Sequence, residues 1–447
     1  MAMPPFSPEA LLAALGPVRQ APALWLALSG GADSMALLQA LGDVREQLPP
    51  LKAIHIHHGL HADADKWAAV CNRACAERGI PFHCQRITLT ADSNIEQAAR
   101  DARYQVFARL LGADEVMLLA QHQDDQVETL SLRLLRGTGL RGLAGMPQRR
   151  PLGCGELFRP LLNYRRADLQ HWLRTRNLTW VEDPANSDPR FARSWLRHQA
   201  LPMLTRKWPQ APGSLLRLAG HAAEANQLLD ELAAEDEAAV RSVSTDPWLR
   251  SFAALDLAGV QRLTPPRQRN VLRYWLLQYG CRLPDQRHLQ GLQAQLLSAQ
   301  DRQPHWQLPD ARLEISRGSI WLLPASGIPA GEAEPLLDQA QMRLAAGNGR
   351  LHQSSARDSL PWPGDWQLRY RQGGELVQLP GRPQKSLKAL LQEAQLPAWL
   401  RPAIPLIYCD GQLVSIGGRW HTAEYCNRIR HCAWSLVWEP LVGCLED

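Results

Sequence analysis

The chain has 447 residues, 45% of them hydrophobic and 21% charged, with a formal net charge of +5. That composition suits a soluble globular protein of two or three domains and excludes a disordered or collagen-like chain. No apolar run reaches the roughly 20 residues of a membrane span, and the start "MAMPPFSPEALLAALG" lacks the basic flank and cleavage site of a signal peptide, so a cytoplasmic protein with no membrane partner is expected. The 9 cysteines form no Cys-x-x-Cys pair, which argues against a disulfide framework and a zinc ribbon. Charge is unevenly spread: Arg133 to Lys207 holds 15 Lys/Arg against 5 Asp/Glu, and the rest of the chain holds 34 against 39. Such a cluster is either a solvated arginine-rich surface or a seat for an anionic partner, and phosphate is what clustered arginine binds best.

In chain order, "ALWLALS", "LKAIHIHH", "FHCQRITL" and "DEVMLLAQ" read as short strands. The intervening "SMALLQALGDVREQL", "DADKWAAVCNRACAERG" and "NIEQAARDARYQVFARLLG" carry apolar residues at helical spacing. Alternation of this kind predicts an α/β domain with a parallel sheet covered on both faces, whose ligands bind beyond the carboxyl ends of the strands. The pattern breaks at Trp208–Gly213. A linker helix, "SLLRLAGHAAEANQLLDELAAEDEAAV", then opens a mainly α-helical middle domain with helices in "RQRNVLRYWLLQYG" and "PDQRHLQGLQAQLLSAQ". After a Pro/Gly-spotted stretch from about 324 to 366, a small α+β unit is predicted, with a helix in "SLKALLQEA" and a hairpin at the Asp-Gly of "PLIYCDGQLVSIGG". The boundaries follow as 1–212, 213–340 and 341–447.

The stretch "LWLALSGGADSMALL" joins the first strand to the first helix through Ser29-Gly30-Gly31. Two residues without Cβ let the backbone turn sharply and bring N–H groups close to a ligand, and a helix opened by Ser34 would add unpaired donors and a partial positive charge. Either a phosphate cradle or a plain strand-to-helix turn fits this loop alone. It lacks the Gly-Lys-[Ser/Thr] of a Walker loop and the spacing of a dinucleotide fingerprint.

"SGGADS" after an apolar strand resembles the loop of the PP-loop ATP pyrophosphatases. Further on, "HIHHGLHADAD", "EQAARDARY", "AQHQDDQVETLSLRLLRGTGLRGLAGM", "RPLLNYRRADLQ" and "WVEDPANSDPRFARSWLRHQALPML" resemble the tRNA(Ile)-lysidine synthetases, as does "SLKALLQEAQLPAWLRPAIPLIYCDGQLVSIGG" in the last unit. The resemblance spans nearly the whole chain. It implies a Rossmann-like PP-loop fold (adenine nucleotide alpha hydrolase-like) at the N-terminus and an ATP- and Mg2+-dependent ligase that joins free L-lysine to carbon 2 of the wobble cytidine of tRNA(Ile) with a CAU anticodon. The cytidine is first adenylated; AMP and pyrophosphate are released, and the tRNA's identity changes from Met to Ile. The chain departs from the family's "EDxSN" and "YxRN" at Pro184-Ala185-Asn186 and at Phe191-Ala192-Arg193-Ser194, which changes hydrogen-bonding groups without removing a charge.

On this resemblance Ser29, Gly30, Gly31 and Ser34 hold pyrophosphate, and Asp33 helps place Mg2+; a simple helix cap is the other reading of Asp33. Lysine arrives as an ammonium with a pKa of about 10.4, so carboxylates must bind it and take its proton. Asp125 and Glu128, three apart near a helix start, are expected to hold the ammonium or a Mg2+ ion, one of them as base, with Asp124 pointing elsewhere; acids enriched at a helix N-terminus for dipole reasons are the alternative. His57 and His58 suit an adenine or nucleobase pocket better than zinc, because no Cys or His recurs at ligand spacing. Arg100 is a candidate for balancing charge in the transition state, and Arg103 shares its helix; a surface ion pair with Asp101 or a neighbour is the alternative. Arg133, Arg136 and Arg141 beside Gly137, Gly139 and Gly142, with Arg193 and Arg197 further on, make a candidate RNA surface or an ordinary helix C-cap with favourable cations. Lys385 and Lys388, with Arg369, Arg371 and Arg382, would add phosphate-led contacts in the last unit.

Thiolation would need reactive cysteines, and amidation a glutaminase partner; neither is legible. A non-catalytic RNA-binding protein would have little use for Asp33, Asp125 and Glu128 beside an anionic ligand. The sequence leaves open a homodimer, the base among Asp125 and Glu128, the selection of lysine, and the features separating tRNA(Ile) from tRNA(Met).

Overall fold

The computed structural model describes residues 5–59, 61–88, 95–183, 188–283, 286–298, 305–336, 339–355, 363–428 and 434–440. The chain forms two compact units, Met1–Gln227 and Leu228–Asp447.

In the first unit, helix α1 (Pro8–Ala14) precedes β1 (Leu24–Ala27), α2 (Ala32–Asp43), β2 (Leu51–His57), α3 (Ala64–Glu77), β3 (Phe82–Arg86), α4 (Ile95–Leu110), β4 (Val116–Leu118) and α5 (Gln123–Leu135). Then come α6 (Leu140–Leu143), a hairpin of β5 (Arg149–Leu152) and β6 (Gly155–Phe158), α7 (Arg166–Thr175), α8 (Ala192–Trp195), a π turn at Leu196–Ala200 and α9 (Leu201–Lys207). The strands lie in the order β3-β2-β1-β4-β6-β5, all parallel except the edge strand β5. Period-2 alternation explains how one strand serves two cores. Leu24 and Leu26 of β1 pack with α2 and α7, whereas Trp25 faces the side covered by Phe107 and Leu111 of α4 and its C-terminal end. Each such buried Leu contributes about 1.5–3 kcal/mol.

Strand order sets the site. From β1 the chain moves outward through β2 and β3, then crosses back to lay β4 on the other side of β1, pairing Leu24 with Val116 and Leu26 with Leu118. The connections leaving β1 and β4 therefore diverge, and a doubly wound sheet opens its ligand crevice at such a switch point. All four strands and three helices read from the sequence in this region are present. The β5–β6 hairpin has no counterpart in that reading, because "RRPLGCGELF" lacks both alternation and β-branched residues.

Helix α10 (Ala211–Val240) runs across the unit boundary. In the second unit, α11 (Leu257–Arg262), α12 (Pro265–Gln278) and α13 (Gln286–Ser298) pack on a four-stranded antiparallel sheet of β7 (Ala254–Asp256), β8 (His305–Gln307), β9 (Ala311–Ser316) and β10 (Ser319–Pro324). Trp275, Leu313 and Ile320 lie at its core. The expected helices of the middle region are therefore joined by a sheet. Further on, the helix at Leu387–Glu393 and the hairpin of Leu406–Cys409 with Gln412–Ile416 form as the sequence predicts. The hairpin's Asp410 and Gly411 both have positive φ, 50° and 78°, the geometry that a two-residue turn requires. Among the described residues no helix is long and apolar enough to cross a membrane.

Candidate active site

The loop after β1 needs its first glycine twice over. Gly30 has φ +88°, and a Cβ there would lie 3.2 Å from Cys71 Sγ and 3.4 Å from Val181 Cγ2. Its carbonyl accepts from Val181 N at 2.9 Å, so the segment before residue 184 is strapped across the loop. Gly31 is the N-cap of α2 and supplies no side-chain cap, leaving first-turn N–H groups available to an anion. The helix opens at Ala32, not at Ser34 as expected. Ser34 sits one turn in and is buried; its hydroxyl accepts from Ser29 N at 3.2 Å, meets Ser29 Oγ at 3.0 Å and donates to Gly31 O at 3.0 Å. It clips the loop shut from within.

Opposite, His122 ends the β4 connection as the N-cap of α5. Its backbone N–H donates to Asp125 Oδ2 at 3.1 Å, and Asp125 N lies 3.4 Å from His122 Nδ1. The ring is 1% exposed and is ringed by carboxylates: Nε2 is 3.3 Å from Asp33 Oδ2 and 3.5 Å from Asp125 Oδ2, and Nδ1 is 3.5 Å from Asp124 Oδ2. Burial lowers its pKa, but contacts with Asp124 and Asp33, together with the Asp125 charge, outweigh that and raise it to about 10. As an imidazolium its Nδ1 donates to Asp124 instead of capping the helix. Asp124 does not point away, as its position next to Asp125 suggested. It accepts from Arg166 N at 2.8 Å, and although burial pushes its pKa up, His122 and that N–H bring it down to about 2.

Asp33 Oδ1 is buried without a hydrogen-bond partner, 3.9 Å from an equally unpartnered Arg166 Nε. Among the described residues no three His, Cys, Asp or Glu side chains converge as a metal cage. Mg2+ does not need one: it keeps several waters and takes one or two carboxylates plus phosphate oxygens, and a bare Asp33 oxygen beside an anion loop fits that demand.

Glu128 differs from the expectation. Its carboxylate is 2% exposed, and both oxygens are taken: Arg193 Nε donates to Oε2 at 2.8 Å, Arg197 Nε to Oε1 at 2.5 Å and Arg197 Nη2 to Oε2 at 2.9 Å. Arg193 and Arg197 thus turn inward, where a basic outer surface was predicted, and they also lie 3.7 and 3.5 Å from Asp125 Oδ1. Asp33 and Asp125 keep side chains 26% and 17% exposed at the β1–β4 switch point, against 2% for Glu128.

At the end of β2, His57 Nε2 lies 3.2 Å from Asp65 Oδ1 without hydrogen-bond alignment. His58 Nδ1 is buried and unpartnered, and burial, foremost, with the Arg103 charge pulls its pKa down to about 4, so the ring is neutral. A neutral ring with a free nitrogen can pair with a base edge.

Family models match at residues 7–204 (PP-loop domain), 255–321 (TilS substrate binding domain) and 366–438 (TilS substrate C-terminal domain). The chain is 46% identical to the tRNA(Ile)-lysidine synthase of Pseudomonas syringae pv. tomato over 92% of its length and 91% of the relative's. Against that of Pseudomonas aeruginosa the identity is 43%, covering 96% of each chain, and against that of Coxiella burnetii it is 36%, covering 97% of each. The chain belongs to the tRNA(Ile)-lysidine synthase family.

Arg100 donates to Tyr104 Oη at 3.2 Å and lies over its ring, with Arg103 on the same helix. Arg133 is half-buried and donates to Gly142 O at 3.0 Å and Gly145 O at 2.8 Å, so it shapes the glycine-rich turn from inside; Arg136, the C-cap of α5, and Arg141 are exposed. In the second unit Lys385 pairs with Glu393 at 2.5 Å, while Lys388 is exposed on the Leu387–Glu393 helix. Of the departures from the lysidine synthase pattern, Pro184-Ala185-Asn186 lie outside the described residues. Phe191 is the N-cap of α8, and Ser194 is buried. From the sequence, Gln121-His122 falls at the carboxyl end of the fourth strand but His122 has no assigned role, and Arg159 and Arg166 are missed. The quoted motifs "AQHQDD" and "RPLLNYRR" contain all three, but only the β1–β4 adjacency reveals that His122 meets Asp33.

Proposed function

We propose that the protein joins free L-lysine to carbon 2 of the wobble cytidine of tRNA(Ile) bearing a CAU anticodon, consuming ATP and releasing AMP and pyrophosphate. One observation carries the mechanism: an anion-ready loop at Gly30-Gly31 and two crevice-facing carboxylates, Asp33 and Asp125, meet across the β1–β4 switch point with buried His122 between them. First-turn N–H groups of α2 hold the departing pyrophosphate, and Asp33 is the residue that would hold Mg2+, which supplies charge neutralisation on the phosphates when bound. His58 and His57 line the side on which a base is received. Asp125 binds the lysine ammonium and takes its proton; Glu128 fixes Arg193 and Arg197 beneath it and does not act as base, since both its oxygens are occupied. Residues 1–212 act as the catalytic domain, and 213–340 and 341–447 as RNA-binding domains; the work is cytoplasmic, where lysine, ATP and tRNA meet.

The deciding assay incubates the protein with ATP, Mg2+, lysine and unmodified tRNA(Ile) with a CAU anticodon, then weighs the digested nucleosides. A wobble cytidine heavier by one lysine less water is expected. Unchanged cytidine, with or without AMP, refutes the assignment.

Gly30→Ala tests the loop separately. Positive φ costs a residue with Cβ about 1–2 kcal/mol, and the contact with Cys71 Sγ adds to it, so the loop must shift. The KM for ATP should rise about tenfold or more while lysine's KM holds; an unchanged ATP KM would remove the loop from the phosphate site.

A further inference from the structure

Beyond the switch point lies a positive basin that the mechanism above does not use. Arg100 and Arg150 both lie over the Tyr104 ring, with guanidinium carbons 4.9 and 4.8 Å from its centre. Arg159, at the end of β6, is 3% exposed; its Nε donates to Gln121 Oε1 and its Nη1 to Pro147 O at 2.7 Å. Among the described residues none of Arg100, Arg150 and Arg159 has a carboxylate within ion-pair distance, whereas neighbouring Arg149 pairs with Glu156 at 2.9 Å. A buried guanidinium charge without a counter-ion, as at Arg159, is costly, and the half-buried Arg100 and Arg150 around the same phenol repel it as well. The electrostatics agree. Burial, helped by the Arg150 and Arg100 charges and opposed by Tyr104, leaves Arg159 below arginine's ordinary value, and although burial raises the Tyr104 phenol, Arg100, Arg159, Arg150 and Arg103 bring it below its own.

Resting on the proposed RNA substrate, we infer that Arg100, Arg150 and Arg159 around Tyr104 form a second anion site, which takes a backbone phosphate of the RNA next to the nucleotide being modified. Two features choose RNA over the phosphates of ATP. Tyr104 belongs to α4, on the sheet face opposite α2, whose N-terminus forms the loop site. Yet the basin is a short step from the chemistry, since Arg159 holds Gln121, the neighbour of His122, which touches Asp33. A phosphate seated there lies within a nucleotide's reach of the crevice, and planar guanidinium groups held by an aromatic ring present paired donors at little entropic cost.

The test uses the full-length protein and a labelled anticodon stem-loop RNA, with binding followed across a salt series. Phosphate contacts are sequence-independent, so a stem-loop of any sequence serves, and the result does not depend on whether lysine is the nucleophile. For Arg150→Gln, an edge-strand change that spares the core, the slope of log affinity against log salt should become shallower by about 0.7–1, with the KM for ATP unchanged. Arg150→Lys should restore the slope but not the full affinity, because the ammonium keeps the charge and loses the planar fork. An unchanged slope in Arg150→Gln overturns the site. So does a raised ATP KM with the RNA slope intact, which would give the basin to the nucleotide.

Discussion

Glu128→Gln is expected to destabilise the first unit by about 3–5 kcal/mol, the cost of breaking a buried ion pair from one side. The carboxylate is almost fully buried and accepts three N–H groups from two guanidinium forks. Glutamine keeps the shape but offers one oxygen and turns an NH2 toward donors, so at least one fork loses its partner inside the protein. Removing the charge also leaves Arg193 and Arg197 with Asp125 alone, at 3.7 and 3.5 Å, and draws that carboxylate from the crevice toward them. For a unit of this size each kcal/mol is worth about 2–4 °C in melting temperature, so a fall of about 6–20 °C is expected in its transition, with activity falling too. Pairing the change with Arg197→Met should recover much of the loss, because it removes one orphaned charge with its carboxylate. A Glu128→Gln protein that melts like the parent and turns over normally would show that the pair is neither structural nor needed.

The Asp125/Glu128 spacing correctly places both on one face of α5, since residues three apart share a helical face. What spacing cannot say is which partner comes to meet that face, and Arg193 and Arg197 arrive from 65 to 72 residues along the chain. The same limit applied to His122. Its motif was legible, and its contacts with Asp124 and Asp125 are local, but its contact with Asp33 depends on β4 lying beside β1 instead of outside β3, and that order is a tertiary fact. Local chemistry travelled well: the Gly30 conformation, the Asp410-Gly411 turn and the four strands of the first unit all follow from residue types within a few positions. Ser34 shows the converse. A serine near a helix start reads as a cap, yet here the hydroxyl turns back to satisfy Ser29 and Gly31, a choice made by the geometry of the glycine turn.

Asp33→Asn and Asp125→Asn should separate the two half-reactions, and with them the two crevice-facing carboxylates. Asp33 stands at the loop with one buried oxygen unpartnered, so its charge is suited to a cation on the phosphates. Its removal should cut activation of the cytidine by about 10²–10³, the usual scale for one charge-stabilising group, and AMP release falls with it at every pH. Asp125→Asn keeps the oxygen that accepts from His122 N, so α5 remains capped. Activation of the cytidine should continue in this variant while lysine transfer drops by about 10²–10⁴, the contribution of a positioned base. Because the amine of free lysine has a pKa of about 10.4, the share already neutral rises about tenfold per pH unit between 7 and 9, and without a base the transfer rate must follow it. The expected signature is therefore a log-linear rescue by alkali in Asp125→Asn and none in Asp33→Asn, read from single-turnover transfer at saturating ATP. A flat pH profile in Asp125→Asn would move the proton's acceptor elsewhere, and equal loss of both steps in both variants would make the two acids a single electrostatic unit centred on His122.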